Sequence, residues 1–308
     1  MIRIDGKQDG AWIPVAGARV QTLISNQDSG QRLGVQRWTL AAGTHTTPRC
    51  QQFEKEFVYV ASGECCLRVG EKTFSARRGD LLTVPAGLPR QYDNPGPESS
   101  ELVLMWSPGQ VEAAFQVSSD ETTCLALGVE ALEAFVGDYR PSGWSSTESA
   151  TLRPAGSCPA YAMAGDHYAV LVAGGDSCQG LALIDALIPP GGGPIPHVHL
   201  RDVEAFLVLE GQLSLFADGK LAQAGPGDTV VLPTGIPHAF RNRTTQPVRM
   251  LILTAPAGFD RFVSLVGSPS DTPHPPDPSE LKMLKELAPR FGLVLRPDLE
   301  QDFSAGAP

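Results

Sequence analysis

Residues 191–242 read GGGPIPHVHLRDVEAFLVLEGQLSLFADGKLAQAGPGDTVVLPTGIPHAFRN. His197 and His199 stand two apart, Glu204 follows, and Gly211 marks a hairpin. Gly227-Asp228, Pro233, Gly235, His238 and Asn242 complete the stretch. The side-chain period of a strand is two, so His197 and His199 face the same way. If that face looks into a barrel, both rings reach one ion at about 2.0–2.1 Å. His238 arrives from another strand just past the Pro233–Gly235 turn, and Glu204 adds an anionic oxygen. Nitrogen and carboxylate donors without thiolate suit Fe(II), Mn(II), Ni(II), Co(II), Cu(II) or Zn(II). Four protein ligands leave coordination positions open, which a structural site does not. Glu204 is read as a ligand, with a place behind the histidines or a catalytic role as proton acceptor also open.

The same glycines, prolines and glutamate recur 148 residues earlier, without the histidines. Gly43, Glu56, Gly63, Gly79-Asp80, Pro85, Gly87 and Asn94 match Gly191, Glu204, Gly211, Gly227-Asp228, Pro233, Gly235 and Asn242 at that single offset. Tyr168–Val172 corresponds in the same way to Val20–Ile24. A repeat of this length is a whole domain and not a solenoid unit. Each copy holds short strand-like runs between turn residues and almost no helical periodicity, which predicts an all-β chain of two double-sheet jelly-roll barrels. Asp80, Asp228 and Asn242 are expected to satisfy backbone N–H groups in turns.

Around the repeat the expected organisation is an arm over 1–19, a first barrel over 20–115 and a linker over 116–160. A second, metal-binding barrel follows over 161–260, and a helical, Pro-rich extension over 261–308. Val129–Val136 reads as a short helix, and Trp144 and Tyr139 as linker or lid residues. Ser279 is the expected N-cap of an amphipathic run in which Leu281, Leu284, Leu287 and Ala288 share a face. Gly292 reads as its stop, and residues 303–308 as frayed. The tail is expected to pack on a barrel or on a partner subunit, so that the protein is a monomer or a homodimer.

The chain of 308 residues carries 42% hydrophobic and 19% charged residues, with 32 Gly and 27 Pro, a balance that favours turns and a globular core. A formal charge of −10 leaves no basic surface for nucleic acid. Neither a leader pattern nor an apolar run of membrane-spanning length is evident, so no membrane partner is expected. The six cysteines show no paired spacing, and free thiols in a cytoplasmic protein are the expectation.

The spacing from Gly191 through Asn242 resembles the two motifs of the cupin superfamily, and the doubling resembles bicupins. Pro256–Phe262 and the Pro-rich tail loosely resemble cupins grouped with quercetin 2,3-dioxygenase. The resemblance implies one divalent ion in the second barrel, Fe(II) favoured, on His197, His199, Glu204 and His238, and no organic cofactor. In the first barrel those positions are Arg49, Gln51, Glu56 and Arg90, and His45 is off register. That barrel is expected to be a structural duplicate, or an anion pocket in which the arginines pair with Glu56 or hold a carboxylate. For function the resemblance implies a metal-dependent dioxygenase taking a hydroxylated aromatic, flavonol-like or enolic small molecule together with dioxygen. An isomerase or cyclase of a hydroxyketone or polyketide-like substrate, and a non-catalytic binding bicupin, are the alternatives. Candidate walls of the substrate site are Ile195, Phe206, Phe216, Leu232 and Phe240.

Overall fold

The computed structural model describes residues 3–6, 10–15, 17–116, 129–135, 138–139, 141 and 148–305. Runs rich in Val, Leu, Ile and aromatic residues become strands, and glycines break them at the turns. Gly63 and Gly211 show why glycine is required there. Both have positive φ, and a Cβ would lie 2.9 Å from Ser100 Oγ at Gly63 and 2.8 Å from the Pro247 carbonyl oxygen at Gly211.

The chain forms two compact units, Gly10–Ser157 and, together, Met1–Asp9 with Cys158–Pro308. The first unit has a seven-stranded sheet in the order Thr151–Arg153, Leu81–Val84, Glu56–Ser62, Ser100–Trp106, Gly34–Leu40, Ala18–Ile24, Ile13–Val15. Its second sheet runs Val129–Ala131, Arg49–Gln51, Pro89–Asp93, Glu64–Val69, Lys72–Arg77. The other unit has an eight-stranded sheet ordered Arg3–Asp5, Thr229–Leu232, Val203–Glu210, Val248–Ala255, Ala182–Ile188, Asp166–Val172, Ala160–Met163, Ser268–Pro269. Opposite it lie Lys220–Ala224, Leu213–Ala217, His238–Arg241, His197–His199 and Leu293–Leu295. All described pairings are antiparallel, and each unit closes its two sheets over its own apolar core.

The turn residues of the repeat do the same work in both copies. The Asn94 amide donates to the Leu40 carbonyl at 3.0 Å, and Asn242 donates to Ile188 at 2.9 Å. Asp80 accepts from the Arg77 N–H at 2.9 Å, and Asp228 from Gly225 at 2.8 Å.

Outside the repeat the structure departs from the sequence reading. Residues 1–19 are not a single arm, since Arg3–Asp5 pairs with Thr229–Val231 and Ile13–Val15 with Ala18–Val20. Val129–Ala131 is a strand on Arg49–Gln51 and not the start of a helix, because edge pairing outweighs a weak helical pattern. Trp144, Val136 and Cys124 lie outside the described residues. Asp277, not Ser279, caps helix Pro278–Leu287. Pro278 needs no N–H partner at the first helical position, and the Asp277 carboxylate accepts from Ser279 N–H at 2.7 Å. After Gly292, at φ 74°, the chain forms strand Leu293–Leu295. Helix Glu300–Ala305 seats Phe303 at 1% exposure, so fraying does not begin at 303.

Candidate metal centre

Four buried side chains converge inside the second barrel. His197, His199 and His238 come from one sheet and Glu204 from the other. Their ligand atoms all lie within 4.8 Å of one another. Pairing of His197 with His238 across adjacent strands sets two rings side by side, with centroids 4.5 Å apart. His197 Nε2 is 3.2 Å from His199 Nε2, and His238 Nε2 is 2.9 Å from Glu204 Oε2.

The protons of these rings are held elsewhere. His197 Nδ1 lies 2.9 Å from the Ile195 carbonyl oxygen, and His238 Nδ1 lies 2.8 Å from that of Ile236. A carbonyl only accepts, so each Nδ1 carries a hydrogen and each Nε2 is turned toward the other ligand atoms. His199 turns Nδ1 toward Asp202 Oδ2, 3.5 Å away. Burial, reinforced by His238 and His199, pushes His197 down to about 3, which keeps it neutral. Burial works against ionised Glu204, but His199 and His238 hold its carboxyl at about 2. Three ring nitrogens and a carboxylate oxygen thus converge; burial works against a charged His199, but Glu204 and Asp202 raise its pKa above the ordinary value. A divalent cation fits that donor set.

A cavity of about 260 Å³ opens beside the ligands, and His197 and Glu204 form part of its wall. The rest is largely apolar, including Ile195, Phe240 and Ile252 of the barrel. Phe259 and Phe262 of helix Phe259–Val266, and Leu281 and Leu284 of helix Pro278–Leu287, also line it. The C-terminal extension therefore packs on its own barrel.

A sequence profile described as a cupin domain matches the chain twice, at residues 36–106 and 185–254. Two cupin domains make the chain a bicupin. This bicupin is 23% identical over 279 residues to quercetin 2,3-dioxygenase of Bacillus subtilis strain 168, across 82% of each chain. Its fold is similar to that of a tryptophan-to-tyrosine variant of Bacillus subtilis oxalate decarboxylase, at TM-score 0.60 and 14% identity, over 82% of this chain and 77% of the other. A second structure of the decarboxylase, from work on its Mn(II) centres, matches at TM-score 0.60 and 14% identity, over 83% and 77%.

Of the residues read as substrate walls, Ile195 and Phe240 line the cavity of the bicupin and three do not. Phe206 lies in the core behind Phe240, edge-on at 5.4 Å. Leu232 lines a separate cavity with Ile4 and Leu215. Phe216 faces the other side of its strand, against Phe303 at 5.8 Å, because its neighbours Leu215 and Ala217 take the inward positions. Sequence reading missed Asp202, Tyr168, Asp166 and Phe259. For two of them a signal existed: the repeat aligns Asp166 and Tyr168 with Ala18 and Val20.

In the first barrel, Arg49, Gln51, Glu56 and Arg90 also converge, but the carboxylate that the arginines hold is the protein's own. Arg49 donates to both Glu56 oxygens at 3.0 and 3.2 Å, and Arg90 Nη1 lies 3.6 Å from Glu56 Oε1. Tyr92 donates its hydroxyl to Glu56, and Trp106 Nε1 donates to Glu56 at 3.0 Å and to Gln51 at 3.1 Å. The Arg49 guanidinium sits over Trp38, Tyr92 and Phe115, at 4.8, 4.8 and 5.3 Å from the ring centroids. Burial opposes ionisation of Glu56, but Arg49 and Arg90 pull its carboxyl below the ordinary range. His45 sits apart, exposed and beside Asp93 at 3.1 Å.

Proposed function

We propose that the chain is a metal-dependent dioxygenase acting on a hydroxylated aromatic, flavonol-like or enolic small molecule. The observation that carries this reading is the junction of the His197–His199–Glu204–His238 set with an apolar cavity of about 260 Å³. In this reading the three histidines and Glu204 hold one divalent ion, Fe(II) in preference to Mn, Ni, Co, Cu or Zn. When bound, such an ion supplies Lewis acidity toward an enolic hydroxyl and, if redox-active, an electron route to dioxygen.

The chain's own residues do the rest. Glu204 is ionised and on the cavity wall, and it accepts the proton of the substrate hydroxyl. Ile195, Phe240, Phe259 and Leu284 hold a flat apolar body and exclude water. The cavity also weighs against decarboxylation of a small dianion. None of its described lining residues is arginine or lysine, so a second carboxylate would be buried without a cationic partner. Cys65, Cys66 and Cys178, which are free thiols, favour a reducing, cytoplasmic setting.

The test has two steps. Protein purified without added metal is expected to hold about one ion per chain, and His238→Ala is expected to lose it. The metal-loaded protein is then offered flavonols and simple enediols in an oxygen electrode, and uptake coupled to loss of the flavonol is expected. Metal-dependent isomerisation of a hydroxyketone with no oxygen uptake would overturn the dioxygenase reading.

A further inference from the structure

Besides His197 and Glu204, Tyr168 is the one side chain on the described cavity wall that carries a hydrogen-bonding group. It comes from strand Asp166–Val172, which supplies none of the four ligands. The Tyr168 ring lies 6.2 Å from Phe259, and Phe259 lies 6.2 Å from His199, so one phenyl ring bridges the tyrosine to the histidines.

The Tyr168 hydroxyl donates to Asp166 Oδ2 at 3.2 Å. Asp166 is fully buried, and its Oδ1 has no hydrogen-bond partner within normal geometry. Gly192 makes room for this carboxyl, since a Cβ there would lie 2.4 Å from Oδ1. A buried carboxyl with an unpaired oxygen is costly to keep, and a barrel needs none for packing. The repeat sharpens the point. At these two positions the barrel without histidines has Ala18 and Val20, both buried in its strand. The polar pair belongs to the barrel that carries the ligands.

We propose that Tyr168, with its proton committed to Asp166, accepts a hydrogen bond from a second hydroxyl of the substrate, and that the cavity thereby selects an aromatic hydroxylated at two separated positions. Asp166 is a positioning residue: it fixes the direction of the Tyr168 O–H and leaves the phenol lone pairs to the ligand. The assignment rests on the cavity being the substrate pocket and adds what the far end of the substrate must carry.

The test uses a pair of fragments that do not need the metal, phenol and toluene, titrated by ligand-observed NMR at pH 8 into the full-length protein with and without divalent metal. Wild type is expected to favour phenol over toluene by about fivefold beyond their partition difference, and Tyr168→Phe to lose that preference. If Tyr168→Phe fails to fold because Asp166 is left unpaired, Tyr168→Phe/Asp166→Asn reads the same preference without the stranded charge. A preference that survives either variant, or none in wild type, overturns the assignment. A parallel arm compares 3-hydroxyflavone with its 4′-hydroxy derivative on the metal-loaded protein. Fragment selectivity without flavonol binding would keep the role of Tyr168 and sink the flavonol reading. A 4′-hydroxyl preference lost with Tyr168→Phe would support both.

Discussion

Burial lifts the Asp166 carboxyl to about 7, against the pull of Tyr168, the Gly193 N–H and Arg241. The unfolded chain gives up this proton near pH 4, so the native state holds it over a window where the unfolded state does not. Stability therefore falls as pH rises from about 4 to about 7 and levels off above. Asp166→Asn removes that slope. Its stability relative to wild type is expected to grow across the window by an amount on the order of 2–4 kcal/mol, read from urea midpoints at pH 5 and pH 8. An equal difference at both pH values would mean that Asp166 is ionised throughout. Single residues were legible in the sequence where chemistry restricts the choice. His197, His199, Glu204 and His238 announce themselves by type and spacing, and they converge. Phe206, Phe216 and Leu232 do not, because an apolar side chain fits the cavity wall, the barrel core and the underside of a helix equally well. Only register tells these places apart.

Strand Leu293–Leu295 pairs along the whole ligand strand, with Leu295 opposite His197, Val294 opposite Val198 and Leu293 opposite His199. Flanking bonds run from Leu200 N–H to Gly292 at 2.8 Å and from Arg296 N–H to Pro196 at 2.6 Å. By alternation the Val294 N–H points at the ligand strand. Val294→Pro is expected to remove that bond and to weaken metal binding by about tenfold, with Val294→Ala close to wild type. Competition with a chelator measures both, and equal affinity in the two variants would mean that the added strand does not steady the histidines. Three residues carry too little periodicity to be recognised as a strand, so the sequence shows only a helix and its stop at Gly292. Helix Pro278–Leu287 was legible through the Leu281–Leu284 spacing, but which surface receives that face is a tertiary fact.

Across the whole molecule, the register of 148 holds from Ala18–Ile24 on Asp166–Val172 to Gly34–Leu40 on Ala182–Ile188. The two barrels set different side chains into one frame, arginines against Glu56 in the first and histidines against Glu204 in the second. Arg90 Nε donates to the Leu88 carbonyl at 3.2 Å, the position at which Ile236 receives His238 Nδ1. Glu56 is as buried as Glu204. The triple variant Arg49→His, Gln51→His, Arg90→His is therefore expected to raise the metal content from about one to about two ions per chain, by elemental analysis. A content unchanged at one would show that the aromatic cage around Arg49 leaves no room for an ion. Fold and repeat were legible because turns leave glycine, proline and asparagine at fixed intervals. The division of the leading residues was not, since a three-residue strand has no signature of its partner. That division has a consequence for synthesis. A ribosome releases Arg3–Asp5 long before Thr229–Leu232, so an early segment must wait, unpaired, for the last barrel to be made. A fragment cut to Cys158–Pro308 would expose a raw sheet edge prone to self-association, and a short peptide bearing Arg3–Asp5 would be its donor strand.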